Sequence, residues 1–376
     1  MPIYLDISAA VHAKAGLSRY ADNLAQALLQ RAPDRFAFFF NRSGVSRIPS
    51  WLGGYTAHSV RAGYKPWRMA VWLGQVSRMG FDRLVPGCQL FHATEHLLLP
   101  LRHSPTVLTV HDLIFHVYPQ HHKRLNRWYL NAALPLYCHR ADAIICVSEH
   151  SKADLVRLWD IEANKVHVVY EAADAHFRPA SVERVREVRE RYGLPERYLL
   201  TVGTIEPRKN LERLLKVLAL LRSQGEDVQL VVVGSKGWLY HDFFGKLERF
   251  PHQDAVIQPG FVPDADLPAV YSGATMTVMA SLYEGFGLPI LESMACGTPV
   301  VSSHASSLPE LGGDAARYFS PLDVQEMASV IRAVWHSDGL REKMSQQGLA
   351  QAERFSWART AEETIRVYKS VGVEIS

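Results

Sequence analysis

Short apolar runs of three to five residues recur along the whole chain, separated by amphipathic segments long enough to be helices. That alternation constrains the fold more than any other feature, because strands joined by helical crossovers pair in parallel and build α/β units. In the first half the runs are 3–7, 36–40, 90–93, 106–110, 143–147 and 166–169. In the second half they are 198–202, 229–233, 256–258, 276–279, 299–302 and 317–319. Two six-stranded parallel sheets are therefore expected. Ligands of such sheets sit at the carboxyl ends of the strands, so the loops that follow the strands are where chemistry is sought. A chain of 376 residues has room for two or three domains, and no 20–50-residue repeat or low-complexity segment interrupts it.

An apolar fraction of 48% and a charged fraction of 21% exclude a disordered or fibrous chain. No basic segment followed by a long apolar run opens the sequence, and no uncharged apolar stretch reaches the roughly 18 residues of a membrane span, so neither a signal peptide nor a transmembrane helix is expected. Cys88, Cys138, Cys146 and Cys296 have no C-x-x-C spacing, which points to reduced thiols and a cytoplasmic location. The net charge of +3 divides unevenly: residues 1–178 hold 20 Lys and Arg against 13 Asp and Glu, giving +7 and leaving −4 for the remainder. The basic half is either adapted to an anionic partner, such as a membrane surface on the inner face of the plasma membrane, or simply carries dispersed surface cations. Nucleic acid is not an expected partner.

The loop with the densest chemistry is 281–299. Gly285 and Gly287 allow a ligand close to the backbone, and Pro289 suits the first turn of a helix beginning near Leu288. The N–H groups of that turn would face a diphosphate. Glu284 precedes the loop and Glu292 lies one turn inside the helix. Carboxylates there would repel phosphate unless aimed elsewhere, and sugar hydroxyls are suitable partners. An ordinary glycine-turned helix with a solvated Glu is the competing reading.

Other loops add weaker signals. Gly16 precedes a helix expected from about Ser18 to Gln30, where it serves either a bound phosphate or a simple turn. Residues 61–83 interleave Arg61, Lys65, Arg68, Arg78 and Arg83 with Trp67, Trp72 and other apolar residues, which fits an interfacial membrane contact or a helix packed on its own domain. His111 and Asp112 end the run 106–110, in a site-like position. His116, His121 and His122 raise zinc as a possibility, but their spacing lacks a Cys or acidic ligand and no metal is expected. After Gly203 come Arg208 and Lys209, two cations at a helix start where the dipole would disfavour them without an anionic ligand. Neither 234–237 nor 260–267 matches a dinucleotide or P-loop fingerprint, which excludes an NAD-dependent dehydrogenase. Asp264 and Asp266 are expected to cap and open a helix rather than bind metal, and Ser356 to cap a final helix.

Taken in order, the glycine at 16, His111-Asp112-Leu113, Val147-Ser148 with Ser151-Lys152, Arg208-Lys209-Asn210, and Glu284 with Glu292 resemble the retaining glycosyltransferases of GT-B type, family 4 (glycosyl transferases group 1), over essentially the whole chain. The wording around Gly203–Asn210 and His111–Phe115 is similar to that of bacterial GDP-mannose-dependent mannosyltransferases of surface polysaccharide synthesis. The resemblance implies two Rossmann-like domains facing a cleft: an acceptor domain over 1–178, a nucleotide-sugar domain over 179–355, and a last helix within 356–376 packing back on the first. It implies that Arg208 and Lys209 neutralise the donor diphosphate, that the amides of Gly285, Phe286, Gly287 and Leu288 hold sugar and phosphates, and that Glu284 binds sugar hydroxyls. Glu292 would hold the ribose, backbone groups near Phe261 and Val262 the base, His111 would sit beside the reacting carbon, and Gly16 near diphosphate or acceptor. The acceptor would be lipid-linked or a saccharide, with no cofactor and no metal. Three departures stand out: Ala15 and Ser18 where relatives often carry glycine, Thr204 where many carry Arg, and Glu171-Ala172-Ala173-Asp174 where many carry Asn-Gly-Val-Asp. The alternatives are a transferase using a UDP-sugar, a UDP-N-acetylhexosamine 2-epimerase-like enzyme and a non-catalytic scaffold.

Overall fold

The computed structural model describes residues 1–12, 15–42 and 47–375. The chain forms two compact units: Met1–His116 with Arg124–Glu171 and Ser356–Ser376, and Val117–Lys123 with Ala172–Phe355. The passage from first to second unit after Glu171 lies upstream of position 178, and residues 117–123, placed by sequence in the first domain, group with the second unit.

In the first unit the strands are β1 (Ile3–Asp6), β2 (Phe36–Arg42), β3 (Ala57–Arg61), β4 (Leu90–Ala93), β5 (Thr106–Val110), β6 (Ala143–Cys146) and β7 (Val166–Val168). They make one parallel sheet of seven strands, ordered β3-β2-β1-β4-β5-β6-β7, rather than the six expected. The additional strand, Ala-His-Ser-Val-Arg, is an edge strand with no buried residue, so it lacks the apolar run that marks the others. The second unit holds β8 (Leu199–Val202), β9 (Leu230–Val233), β10 (Val256–Gly260), β11 (Met276–Met279), β12 (Val300–Ser303) and β13 (Ala316–Phe319), in the parallel order β10-β9-β8-β11-β12-β13.

Alternation along these strands feeds two cores. Leu199, Leu230 and Val232 join one buried cluster with Met276, Val278 and the helix Leu211–Ser223, while Leu200, Val231 and Val233 join another with Val188, Val270 and Tyr271. Helices thus cover both faces of the second sheet, which is why its strands read as unbroken apolar runs. The helix Trp357–Ser370 completes the first unit. Ser356 caps it, Thr360 Oγ1 donates to the Tyr170 carbonyl at 2.7 Å, and Tyr368 Oη meets His92 Nδ1 at 2.7 Å.

Two local expectations are corrected. The helix holding Gly16 begins at Ala15, not near Ser18, and Gly16 sits exposed in its first turn with open space where a Cβ would be. Asp266 precedes the helix Leu267–Ser272 but makes no side-chain cap. Its buried carboxylate instead accepts from Arg184, from Arg191 at 2.9 Å and from the Tyr192 hydroxyl at 2.6 Å, tying down the helix Val182–Tyr192. Two guanidinium groups outbid the backbone amides for that carboxylate.

Candidate active site

In the second sheet the strand order reverses between β8 and β11, and the loops after those two strands carry the predicted cations and acid. The β8 loop opens with Gly203 at φ +141°, against which Gly234 packs so closely that a Cβ on Gly234 would lie 2.0 Å from the Gly203 carbonyl oxygen. The loop turns through Pro207–Lys209 and enters its helix at Asn210, which has φ +59°. Buried Asn210 donates to the Ala280 carbonyl at 3.0 Å and the Pro321 carbonyl at 2.8 Å, and the Arg208 carbonyl accepts from Leu282 N at 2.8 Å. The β8 and β11 loops are thereby locked together.

Held in this way, Arg208 and Lys209 converge on one carboxylate. Arg208 Nη1 donates to Glu284 Oε2, Lys209 Nζ to Oε1 at 2.6 Å, and Ser281 Oγ to Oε1 at 2.6 Å. Arg208 Nε also pairs with Glu206 Oε1 at 2.6 Å. Burial alone would raise the Glu284 pKa, but the charges of Arg208 and then Lys209, with hydrogen bonds from Lys209 and Ser281, override it and hold the carboxyl at about 2. Two cations and two carboxylates balance in charge. The backbone is as firmly set: Glu284 N donates to Ser306 Oγ at 2.8 Å, and Ser307 Oγ donates to the Glu284 and Phe286 carbonyls at 3.0 and 2.5 Å.

From there Gly285 and Phe286 lead to Gly287, whose φ of +122° and lack of a Cβ are both required, since a Cβ would lie 2.7 Å from Leu308 Cδ2. The helix Leu288–Ala295 follows; Pro289 in its first turn has no amide hydrogen and Ile290 N donates to the Gly287 carbonyl at 2.9 Å, so the helix start is presented through the backbone around Leu288. Glu292 is buried in its second turn and accepts from the Tyr271 hydroxyl at 2.7 Å. Val262 follows β10, its side chain in the core and Phe261 exposed beside it. Residues 117–123 also meet this unit: the Tyr118 ring lies 6.1 Å from that of Tyr283, His122 lies 5.5 Å from Trp238, and Lys123 Nζ stands 4.9 Å over the Trp238 ring. His121 stacks on Tyr118, and His116, in the first unit, bonds Asn131. Among the described residues no group of three or more His, Cys, Asp and Glu is placed to hold a metal ion.

In the first unit, buried His111 follows β5. Its Nε2 lies 2.8 Å from the Thr94 carbonyl and its Nδ1 3.4 Å from Glu171 Oε1, while the Tyr20 ring meets it edge-on at 4.7 Å. A carbonyl only accepts, so Nε2 carries a proton, and the Glu171 carboxylate beside Nδ1 favours a second one there. Burial works to lower the His111 pKa, but the hydrogen bond and charge of Glu171, helped by the Thr94 carbonyl and Asp112, raise it. Its backbone is held by Ser151 Oγ, which donates to the His111 carbonyl at 3.2 Å, and by His96 Nε2, which accepts from His111 N at 3.0 Å. The Ser148–Ser151 motif is therefore a support for His111. Sequence reasoning missed Glu206, Ser281, Ser306 and Ser307, since loop serines and a Glu near a Pro carry no spacing signal; Glu171 was visible only as a departure.

Comparison with known proteins bears on both units. Residues 15–177 match the model of Glycosyltransferase Family 4 and residues 185–351 that of Glycosyl transferases group 1. The chain is 36% identical to O-antigen chain mannosyltransferase B of Escherichia coli over 273 residues, covering 72% of each protein. The chain belongs to glycosyltransferase family 4. Within that family it is also 31% identical over 266 residues to the serotype-specific mannosyltransferase WbdA of Escherichia coli, covering 68% of this chain and 32% of that longer protein. Solved structures place this family-4 chain in the GT-B fold. Sucrose-phosphate synthase from Thermosynechococcus elongatus superposes with a TM-score of 0.78 at 20% identity over 99% of each chain. WaaG, a glycosyltransferase involved in lipopolysaccharide biosynthesis, does so with a TM-score of 0.74 at 15% identity, over 99% of this chain and all of its own.

Proposed function

We propose that the protein transfers mannose from GDP-mannose to a lipid-linked or saccharide acceptor in the synthesis of a cell-surface polysaccharide or glycolipid, with retained configuration and no divalent cation. The observation that carries this reading is the convergence of Arg208 and Lys209 on Glu284 at the switch point of the second sheet. The mannosyltransferase relatives support the choice of sugar.

The reaction breaks the bond between the sugar's anomeric carbon and a β-phosphate oxygen, and the electron pair leaves with the phosphate. The acceptor oxygen bonds to the same carbon from the same face and gives its proton to the leaving phosphate. Charge therefore grows on the diphosphate, and fixed cations already in place stabilise it without reorganisation. Before the donor arrives, Arg208 and Lys209 are neutralised by Glu284 and Glu206. An incoming diphosphate competes for the two cations, and the Glu284 oxygens it releases accept from sugar hydroxyls. One carboxylate thus guards the cations in the empty site and reads the sugar in the filled one. The amides of Gly285–Leu288 supply further donors, Glu292 takes the ribose, and the backbone at Val262 the base. His111 is engaged on one side by the Thr94 carbonyl and on the other by Glu171, and the chemistry does not need a protein base.

Calorimetric titration with GDP-mannose, UDP-glucose and UDP-N-acetylglucosamine in EDTA tests the reading, repeated with Glu292→Ala. Tight metal-free binding of GDP-mannose, weakened by the substitution, is expected. Binding of a UDP-sugar instead would overturn the donor, and a need for divalent metal would overturn the electrostatic account.

A further inference from the structure

The loop 281–287, which carries Glu284, is braced from one side by the end of β12 and the residues just after it. Ser303 Oγ donates to the Ser281 carbonyl at 2.6 Å, Ser306 Oγ accepts from Glu284 N at 2.8 Å, and Ser307 Oγ reaches the Glu284 and Phe286 carbonyls at 3.0 and 2.5 Å. Each of these bonds joins a hydroxyl to the backbone. The brace therefore fixes the course of the chain, whatever side chains the loop displays. Ser306 adopts φ +51°, a left-handed conformation that is costly for a residue with a Cβ. That turn places two neighbouring hydroxyls on one residue, with Ser306 taking the N–H of Glu284 and Ser307 its carbonyl.

Ser307 has a second effect, which follows from the planarity of the peptide unit. In a trans unit the C=O and N–H point in opposite directions. The Glu284 carbonyl shares its unit with the Gly285 amide, and the Phe286 carbonyl shares its unit with the Gly287 amide; among the described residues no peptide bond is cis. Drawing both carbonyls to one buried hydroxyl thus turns both amides to the opposite side of the loop. The backing is close: a Cβ on Gly287 would meet Leu308 and Leu311, which follow Ser307 in the chain, at 2.7 and 3.2 Å. Amides gathered on one face of a loop are ready donors for an anion.

We propose that Ser307 is a positioning residue for the nucleotide donor: from behind the loop, it aims the Gly285 and Gly287 amides at the donor's phosphates. The inference rests on the reading of this loop as the donor site. It assigns the orientation of those amides to one hydroxyl from a different loop. Because the amides meet charge that grows as the sugar departs, misaiming them costs turnover as well as binding.

The test is calorimetric titration of the full chain with GDP and with guanosine, and with UDP and uridine, for wild type and Ser307→Ala. GDP affinity is expected to fall about tenfold in the variant, with guanosine affinity unchanged, and kcat to fall at least as far. Unchanged guanosine binding also shows that the variant is folded. Ser307→Thr keeps the hydroxyl and should restore GDP binding, whereas Ser307→Cys, a weak donor, should fall between Ala and wild type. Parallel loss of GDP and guanosine affinity, or GDP binding that survives Ser307→Ala, would overturn the assignment. If wild type prefers UDP, the proposed donor base fails, and the ratio of UDP to uridine affinity decides the role of Ser307 in the same way. A wild-type protein that binds nucleoside and diphosphate equally would overturn both.

Discussion

Glu284 and His111 are both buried ionisable groups just past a strand's carboxyl end, one in each unit, and they are stabilised in opposite senses. Glu284 is a carboxylate enclosed by two cations and a hydroxyl, and its pKa is driven down to about 2. His111 is an imidazole between a carboxylate and a carbonyl, and its pKa is driven up. In both, burial opposes the charged form and specific partners overcome it. The difference lies in replaceability. A diphosphate can substitute for Glu284 on Arg208 and Lys209, whereas no anion on that scale is built into the proposed reaction to take Glu171 from His111. The first pair is arranged to exchange partners, the second to stay put.

The largest effect should come from removing the exchangeable cations. Arg208→Ala combined with Lys209→Ala is expected to lower transfer by about a thousandfold and leave buried Glu284 uncompensated. Measured activity within about tenfold of wild type would show that other groups carry the diphosphate charge. Glu284→Gln should split binding from turnover: GDP alone binds more tightly because the cations lose a competitor, while transfer falls by about a hundredfold because the sugar loses its acceptor. Parallel loss of both would break the exchange idea. Acid provides a further probe. Because the Glu284 pKa is depressed in the folded protein, its stabilising contribution is complete above the unfolded value near 4.5 and disappears as pH falls toward 2; the Gln variant should lack that part of the acid profile.

His111 predicts the opposite slope. Its raised pKa stabilises the fold fully below about 6.5, and that contribution is lost as pH rises through the folded value. The groups facing it are Glu171, Asp112, Tyr20, His96 and His92, the last held neutral by burial with a pKa of about 3. Glu171→Gln should cost about 2 kcal/mol at pH 6 and flatten the stability profile above it, as read by thermal melts across pH. The smallest effect belongs to Asp266→Asn, away from both sites: about 1 kcal/mol of stability and no change in donor affinity, because it serves only to hold the Val182–Tyr192 helix.

The core strands were readable because helices cover both faces of the second sheet, which leaves apolar runs that no loop imitates. Strand β3 was not, because an exposed edge needs no such run. At the site, Arg208, Lys209, Glu284 and Glu292 were picked out by their places after strands and at helix starts. That Glu284 would pair with the cations was not visible: the ion pairs span about 75 residues of sequence, and only the parallel pairing of β8 with β11 brings those loops together. The same limit hid Arg68, which reads as a surface cation along its own helix and becomes a clamp only when Tyr129 arrives beneath it.

The helix Trp357–Ser370 gives the molecule an unusual order of manufacture. It belongs to the first unit, where Tyr368 reaches His92 and Trp357 lies 6.1 Å from the Tyr20 ring, yet it leaves the ribosome after everything in Ala172–Phe355. Chains fold as they emerge, amino-terminal parts first. Here the unit that is begun first is finished last, and during synthesis the surface around His92 and Tyr20 waits uncovered while the whole second sheet is being made.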